Sequence, residues 1–189
     1  VLPPSGTTSF NFFPIAHGGS FNITVHSQPT GLECSIENGT NNNVQTTPTN
    51  IKVACAVPPI RAKCWGLNDN GQLGNGSINN SNVPIYASNL NGVNTISGAM
   101  RHQCAIVNSG VVRCWGANDY GELGNGTIGI TSSTPIDANI NGTIAIAAGY
   151  QHVCAIVNSG AVYCWGANYL GTLGNGTKQD SPCLLYTSD

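Results

Sequence analysis

Short apolar runs separated by glycine- and asparagine-rich turns recur along most of this chain, and no window keeps the i, i+3, i+4, i+7 apolar spacing of an amphipathic helix. The clearest example extends from His102 to Cys114, where two apolar segments flank Asn108-Ser109-Gly110. A three-residue loop that ends in glycine, at the position that needs a positive φ, predicts a β-hairpin. The same pattern returns from His152 to Cys164. The chain is therefore predicted to be all-β.

The register of these hairpins places cysteines opposite one another. With Ser109 at the tip, Cys104 faces Cys114, and the second hairpin in the same way places Cys154 opposite Cys164. Directly opposed residues have Cβ atoms about 4.5–5.5 Å apart, so a disulfide can close with little backbone movement. We therefore predict both bridges.

Both faces of the first hairpin are apolar, with Cys104, Ile106 and Val112 on one face and Ala105, Val107 and Val111 on the other. Such a strand pair must be covered on both sides, as in a blade stacked between two neighbours. Further short strands are expected at residues 83–86 together with 93–97, and at 135–137 together with 143–147. Each repeat would then contain about four strands.

A longer segment occurs three times. The string Cys-Trp-Gly-x-Asn-x-x-Gly-x-Leu-Gly-Asn-Gly begins at Cys64, Cys114 and Cys164, at intervals of 50 residues. A period of this size indicates one supersecondary unit copied in tandem, and it favours a display scaffold over a single catalytic pocket. The predicted structural repeat positions are Trp65, Gly66, Trp115, Gly116, Trp165, Gly166, His102 and His152.

These strings closely resemble the regulator-of-chromosome-condensation repeat, with Gly-x-x-His-x-Cys-Ala-Ile followed by Gly-x-Val-x-Cys-Trp-Gly-x-Asn-x-x-Gly-x-Leu-Gly. The resemblance covers residues 64–182 and departs at Ala99, where the next copy has Gly149. It implies a β-propeller, usually seven-bladed, of which two to three blades are present, so the chain is expected to be a fragment. The cysteine-containing form resembles the bacterial, extracytoplasmic branch of the family.

The first 57 residues differ from the repeats. Residues 19–29, 31–39 and 50–55 alternate and turn like successive strands. They resemble a small immunoglobulin-like module of bacterial surface proteins, which implies a β-sandwich-like module over residues 1–57 with a preferred Cys34–Cys55 bridge.

The competing bridge would join Cys55 to Cys64. It would need a two-residue turn at Pro59, whose φ is fixed near −65°. Pro58-Pro59 predicts instead an extended linker over residues 58–63, ahead of repeats at 64–182. Cys64 then lacks a partner, because the strand that should carry it is missing.

The last seven residues do not continue the repeat. Residues 183–189, beginning at Cys183, resemble translated sequencing-adapter read-through. We expect this tail to be non-native and assign no function to it.

Composition narrows the possible partners. Charged residues make up 7% of the chain and the net charge is −2, with only six lysines and arginines. Phosphate binding needs clustered cations, so a nucleic-acid partner is not expected.

No apolar run approaches the roughly 18 residues of a membrane span. The sequence contains no signal peptide, and a leader upstream of Val1 is an open alternative. Eight cysteines favour an oxidising location, extracellular or at the cell surface.

Candidate ligands for metals do not converge. His102 and His152 each lie two residues before a cysteine, but two ligands per blade do not close a tetrahedral shell. A disulfide with a structural imidazole that hydrogen-bonds a neighbouring turn is the preferred interpretation. Asp69 and Asp119 suggest calcium, yet Tyr169 replaces them in the third copy, so turn chemistry explains them. Neither a metal nor a cofactor is predicted.

Two other sets of repeated residues have structural explanations. The three tryptophans are predicted to be core residues rather than an aromatic binding surface. The Asn-x-Ser/Thr sites are predicted to be turns rather than glycan acceptors, at Asn22, Asn38, Asn75, Asn125, Asn141 and Asn175.

The sequence contains few residue patterns that could support catalysis. No carboxylate pair recurs at a short spacing, and no Gly-x-Ser-x-Gly or phosphate-cradling loop appears, so no catalytic residue is assigned.

The preferred hypothesis is a non-catalytic binding or display scaffold, secreted or on a bacterial surface. It would bind a protein or another extracellular ligand through the divergent loops at residues 77–82 and 127–134. The alternatives are an exchange factor for a small GTPase, as the family's namesake is, and a propeller lyase or hydrolase.

Overall fold

A computed structural model of the chain describes residues 18–24, 33–41, 52–56 and 59–186. They belong to two compact units, Val1–Pro58 and Pro59–Asp189. Every helix or strand found in the described residues is a β-strand, so the predicted all-β class is confirmed. No helix in these ranges is long and apolar enough to cross a membrane.

The described strands of the first unit form two antiparallel pairs. The strands are β1 (Phe21–Asn22), β2 (Glu33–Glu37), β3 (Thr40–Asn41) and β4 (Lys52–Ala56), and β1 pairs with β3 while β2 pairs with β4. Cys34 lies opposite Cys55, and the two form a disulfide with Cα atoms 3.9 Å apart. The remainder of the predicted sandwich over residues 1–57 lies outside the described residues.

The second unit consists of antiparallel sheets. Its described strands are β5 (Arg61–Gly66), β6 (Ser81–Asn91), β7 (Val93–Gly98), β8 (His102–Val107), β9 (Val111–Gly116), β10 (Ser132–Asp137), β11 (Thr143–Ala148), β12 (His152–Val157), β13 (Val162–Gly166) and β14 (Ser181–Tyr186). The sheets are β5-β6, β10-β9-β8-β7 and β11-β12-β13-β14, which we call blades 1, 2 and 3. Two four-stranded blades and one two-stranded sheet form a partial β-propeller.

Consecutive strands change sheet at each repeat boundary. β6 pairs with β5 whereas β7 pairs with β8, so the predicted segments 83–86 and 93–97 lie in neighbouring blades. The segments 135–137 and 143–147 are divided in the same way between β10 and β11. Pairing therefore stays within a blade, and β6 and β10 do not pair with the strand that follows them in sequence.

Two predicted boundaries differ from the structure. The expected linker at 58–63 overlaps β5, which begins at Arg61 and pairs with β6. The expected tail begins inside β14, where Leu185 lies opposite Cys164, and residues 187–189 lie outside the described residues. Strand pairing uses backbone N–H and C=O groups, which any extended segment can supply, so a break in the repeat does not end a strand.

The two apolar faces of the β8–β9 hairpin form separate cores. One core joins blades 2 and 3 and contains Cys104, Ile106, Val112, Cys114, Leu123, Ala138, Ile140, Val153, Ala155 and Trp165. The other joins blades 1 and 2 and contains Ala62, Ala87, Leu90, Val93, Ala105, Val107 and Trp115. The structure thus covers this hairpin on both sides, as its apolar faces predict.

Disulfides cross both complete hairpins. Cys104 and Cys114 are directly opposed and bonded, as are Cys154 and Cys164, with Cα atoms 4.1 Å apart in each pair. Cys64 and Cys183 are free. The bridges fasten the two middle strands of blades 2 and 3.

Candidate functional site

A buried asparagine holds the loop that follows β5, β9 and β13. Asn118 Oδ1 accepts a hydrogen bond from Leu123 N at 3.0 Å, and its Nδ2 donates to the Thr127 carbonyl at 3.0 Å. The corresponding bonds are 2.8 and 3.0 Å at Asn68 and 2.9 and 3.1 Å at Asn168. All three asparagines are fully buried. Each carboxamide ties both ends of its loop, and its polar atoms are satisfied without water.

The Asn-Gly-Ser/Thr strings in these loops form turns. Asn125 Oδ1 accepts hydrogen bonds from the backbone N and the hydroxyl of Thr127, at 3.1 and 2.8 Å. Asn75 and Asn175 make the same pair of bonds with the residue two positions later. An Asx turn therefore tightens every copy of the loop.

Each complete blade is locked to the preceding loop through its tryptophan. The Trp115 indole N–H donates to the Gln72 carbonyl at 2.9 Å, and that of Trp165 donates to the Glu122 carbonyl at 2.8 Å. Both rings are fully buried, but Trp65 is 63% exposed. The prediction that all three are core residues is therefore wrong for Trp65, because no described residue occupies the place of a preceding loop.

Two glycines in each of the loops after β5 and β9 make further contacts with the next blade. Gly71 lies so close to Ser133 that an added Cβ would be 2.6 Å from the Ser133 Cα, and Gly76 N donates to the Ser133 carbonyl at 2.9 Å. Gly121 and Gly126 contact Pro182 in the same way, and the second bond is 3.1 Å long. The loop backbones are therefore positioned by neighbouring strands.

An arginine identifies which loops share one side of the blades. Arg101, in the turn before β8, donates from Nη2 to Asn70 Oδ1 at 2.9 Å and from Nη1 to Asp119 Oδ2 at 3.4 Å. The turn before β8 and the loops after β5 and β9 therefore lie on the same side. In blade 3 the turn before β12 and the loop after β13 are joined in the same way as their blade 2 counterparts, because Ala167 N donates to the Gln151 carbonyl as Ala117 N donates to the Arg101 carbonyl, at 2.8 Å in both blades. We call this surface the loop face, and it comprises residues 67–80, 99–101, 117–131, 149–151 and 167–180.

Exposed positions on the loop face differ between copies. Met100 in one turn corresponds to Tyr150 in the next, and each is 61% exposed. Asp69 and Asp119 correspond to Tyr169, which is 52% exposed, and Leu170 beside it is 72% exposed. A constant framework thus presents different side chains from each repeat. The sequence contains a signal for this division, because the buried Asn68, Asn118 and Asn168 repeat every 50 residues whereas the exposed Met100 and Tyr150 differ.

The two histidines predicted to have structural roles, His102 and His152, lie at the junction of blades 2 and 3. His102 is 1% exposed, and burial, together with the nearby His152 charge, lowers its pKa from 6.5 to about 4. A backbone hydrogen bond with His152 raises the His102 pKa in opposition to these effects. His152 begins strand β12 of blade 3, so the predicted hydrogen bond from the His102 imidazole to a neighbouring turn is replaced by one to a strand of the next blade. His102 Nε2 has no hydrogen-bond partner. Burial also lowers the pKa of His152.

The buried Glu122 side chain on the loop face stabilises a turn of the loop backbone. Glu122 is 2% exposed, and its Oε2 accepts a hydrogen bond from Tyr120 N at 2.9 Å. Burial raises the pKa of its carboxyl group. Gln72 plays the same part in blade 1, where its Oε1 accepts from Asn70 N at 2.8 Å. The described ranges contain no group of three or more metal-ligating side chains.

Stacked four-stranded blades, each locked by a tryptophan to the preceding loop, define a tandem-repeat propeller with a loop-built surface. The family model for the regulator of chromosome condensation (RCC1) repeat matches residues 64–106, 109–156 and 159–189, and a second model of this repeat matches residues 144–172. These matches cover more than half of the chain. The chain therefore belongs to the RCC1 repeat family.

Solved structures show the same fold. Prp20p from Saccharomyces cerevisiae, described with its binding to Gsp1p and histones, has a TM-score of 0.62 and 21% identity over 68% of this chain and 34% of its own. Human WBSCR16 has a TM-score of 0.56 and 21% identity over 72% of this chain and 36% of its own. The chain thus spans about a third of the length of these relatives. A comparison with curated protein sequences finds no match.

Proposed function

We propose that this protein is a non-catalytic binding scaffold whose loop face recognises another protein. The observation that carries this proposal is the contrast within each loop. Asn68, Asn118 and Asn168 keep the same buried bonds in every copy, whereas the outward positions change from copy to copy. A rigid framework with variable exposed loops is the usual arrangement of a recognition surface.

The exposed side chains favour a protein partner. Met100, Tyr150, Tyr169 and Leu170 are each more than half exposed on the loop face. Aromatic residues and methionine are enriched at the centres of protein interfaces, where their burial contributes most of the binding free energy. The sparse charge of the chain also keeps the desolvation cost of such an interface low.

The disulfides support an oxidising location. Three pairs of cysteines are bonded, and bonds of this kind persist outside the reduced cytosol. We propose on this ground an extracellular or cell-surface location; the bacterial source and the immunoglobulin-like module ahead of the repeat array are proposed from the sequence resemblance alone. Mass spectrometry of material prepared without reductant would test the location, because reduced Cys104 and Cys114 in the native protein would contradict it.

The binding function can be tested with surface variants of the oxidised chain. The triple variant Tyr150→Ser, Tyr169→Ser, Leu170→Ser removes exposed apolar side chains from the loop face. A matched control, Val83→Ser with Ile144→Ser, removes exposed apolar side chains from strands β6 and β11. Extracellular proteins retained by the wild type and the control should be lost by the triple variant. Equal retention by all three would refute a loop-face interface.

The alternative functions have direct assays. Release of labelled GDP from small GTPases, measured with and without the chain, reports nucleotide exchange, and acceleration would favour the exchange-factor hypothesis. The likeness to Prp20p is a fold-level analogy and supplies no exchange residues. Turnover of a substrate, lost in a loop-face variant, would favour the lyase or hydrolase hypothesis.

A further inference from the structure

Seven asparagines of this chain are each followed by glycine. Because glycine has no Cβ to hinder attack by its own backbone nitrogen on the preceding carboxamide, such an asparagine is especially prone to lose its side-chain amide. Reaction at a given pair depends on whether the fold leaves both the carboxamide and the glycine N–H free. The seven asparagines are Asn38, Asn70, Asn75, Asn91, Asn125, Asn141 and Asn175.

The pairs in the loops after β5 and β9 have both groups engaged. The Asn125 carboxamide is fixed by its two bonds from Thr127, and the Gly126 N–H donates to the Pro182 carbonyl at 3.1 Å. Asn75 and its glycine are held by the same two kinds of bond. These hydrogen bonds must open before the glycine nitrogen can reach the carboxamide carbon, so both pairs are protected.

The pair Asn141-Gly142 is free in the turn between β10 and β11. Asn141 is exposed and lies outside the strands. Among the described residues, neither the Asn141 carboxamide nor the Gly142 N–H has a hydrogen-bond partner. The side chain can therefore rotate until its Cγ meets the Gly142 nitrogen, without any bond being broken first.

The chain contains its own matched comparison for this pair. Asn125-Gly126-Thr127 and Asn141-Gly142-Thr143 are the same tripeptide. Their intrinsic reactivity in an unfolded chain should therefore be closely similar. A difference between the two sites in the folded protein would come from the structure and not from the local sequence.

An intermediate case lies one repeat earlier. Asn91-Gly92 occupies the turn between β6 and β7, and within the described ranges its carboxamide and the Gly92 N–H are also without hydrogen-bond partners. However, Asn91 is the last residue of β6 and pairs with Arg61 of β5. This pairing restrains the backbone, so Asn91 should react more slowly than Asn141.

We propose that Asn141 is a site of spontaneous deamidation. The Gly142 nitrogen attacks the Asn141 Cγ and closes a cyclic imide, while the bond from Cγ to the side-chain nitrogen breaks and ammonia leaves with the Gly142 amide proton. Water then adds across one of the two C–N bonds of the imide ring. Opening at the side-chain carbonyl gives aspartate, and opening at the main-chain carbonyl gives isoaspartate. Water is the only co-reactant, and each product carries a new negative charge.

The turn that contains Asn141 is held between two hairpin tips. The Gly142 carbonyl accepts a hydrogen bond from Asn158 N at 2.8 Å, and Thr143 N donates to the Gly110 carbonyl at 3.0 Å. Isoaspartate routes the main chain through the former side chain, which adds one backbone atom directly before these two bonds. Deamidation should therefore loosen the junction of blades 2 and 3, at a position outside the loop face.

Ageing of the full oxidised chain in mildly alkaline buffer made with heavy-oxygen water tests the proposal by site-resolved mass spectrometry. Asn141 should gain the oxygen label on the order of ten-fold faster than Asn125, because reaction at Asn125 first requires the loop bonds to open. Asn91 should be labelled at an intermediate rate. In reduced chain unfolded in urea, Asn125 and Asn141 should react equally fast. Equal labelling of these two sites in the folded chain, or a difference that persisted after unfolding, would overturn the proposal.

A variant tests the effect on the blade junction. Asn141→Gln lengthens the side chain, so ring closure is slow, and it should abolish labelling at this site while the fresh protein keeps the denaturation midpoint of the wild type. After ageing, the midpoint of this variant should fall less than that of the wild type. Asn82→Gln, at an exposed asparagine followed by valine, should age as the wild type does. An equal fall in the wild type and in Asn141→Gln would contradict the assigned loosening.

Discussion

Acid should destabilise the repeat unit through one buried imidazole. His102 is 1% exposed, and its pKa is about 4 in the folded protein against 6.5 for the unperturbed side chain. Between these values the unfolded chain binds more protons than the folded chain, so stability falls as the pH decreases. The contribution is complete above about pH 6.5 and is lost by about pH 4. The difference corresponds to roughly 3 kcal/mol at about 1.4 kcal/mol for each pH unit.

Urea denaturation between about pH 7.5 and pH 4.5 measures this effect, with an expected loss of about 2.5 kcal/mol from His102. Other groups also titrate in that range, so the useful quantity is the difference between the wild type and His102→Gln, which cannot be protonated there. His152→Gln is the matched control, because His152 is less buried and should have a smaller effect. If the His102 variant lost as much stability as the wild type over this range, the assigned role of the buried imidazole would be refuted.

Three further variants test the framework. Asn118→Ala leaves the buried Leu123 N–H unpaired and should lower the free energy of unfolding by about 2–4 kcal/mol in urea titrations; a change below about 1 kcal/mol would contradict the loop-tie role. Trp165→Phe removes the indole hydrogen bond and should cost about 1–2 kcal/mol, whereas Trp65→Phe, at an exposed ring, should leave the denaturation midpoint unchanged. Replacing Cys104 and Cys114 together by alanine opens a loop of 10 residues and should cost about 3 kcal/mol in oxidised protein; an unchanged midpoint would contradict the contribution of that bridge.

The sequence contains most of the information about the blade because its signals are local. Hairpin register depends on the turn and on side-chain alternation, so positions 104 and 114 could be placed opposite each other without a tertiary model. The apolar residues on both hairpin faces likewise predict burial between neighbours, and both faces lie in cores.

Contacts between blades were harder to predict from the amino-acid sequence alone. The carbonyl groups of Gln72 and Glu122 accept the tryptophan N–H groups over a separation of 43 residues, and a backbone acceptor has no side-chain signature. The Arg101 bridge to Asn70 spans 31 residues and occurs in one copy only, so no repeat marks it.

The amino-acid sequence by itself determined the all-β class, the repeat and the hairpin register, because turns and alternation act between residues near one another in the chain. Only the tertiary structure decided which copies of the repeated motif have a buried tryptophan. Trp65, Trp115 and Trp165 occupy the same motif, yet only the last two are buried, because burial depends on what packs against a side chain and not on the motif that contains it. Cys64 is unbonded, as the sequence predicts, because Ile85 and not a cysteine lies opposite it in the described sheet, whereas Cys114 and Cys164 lie opposite cysteines.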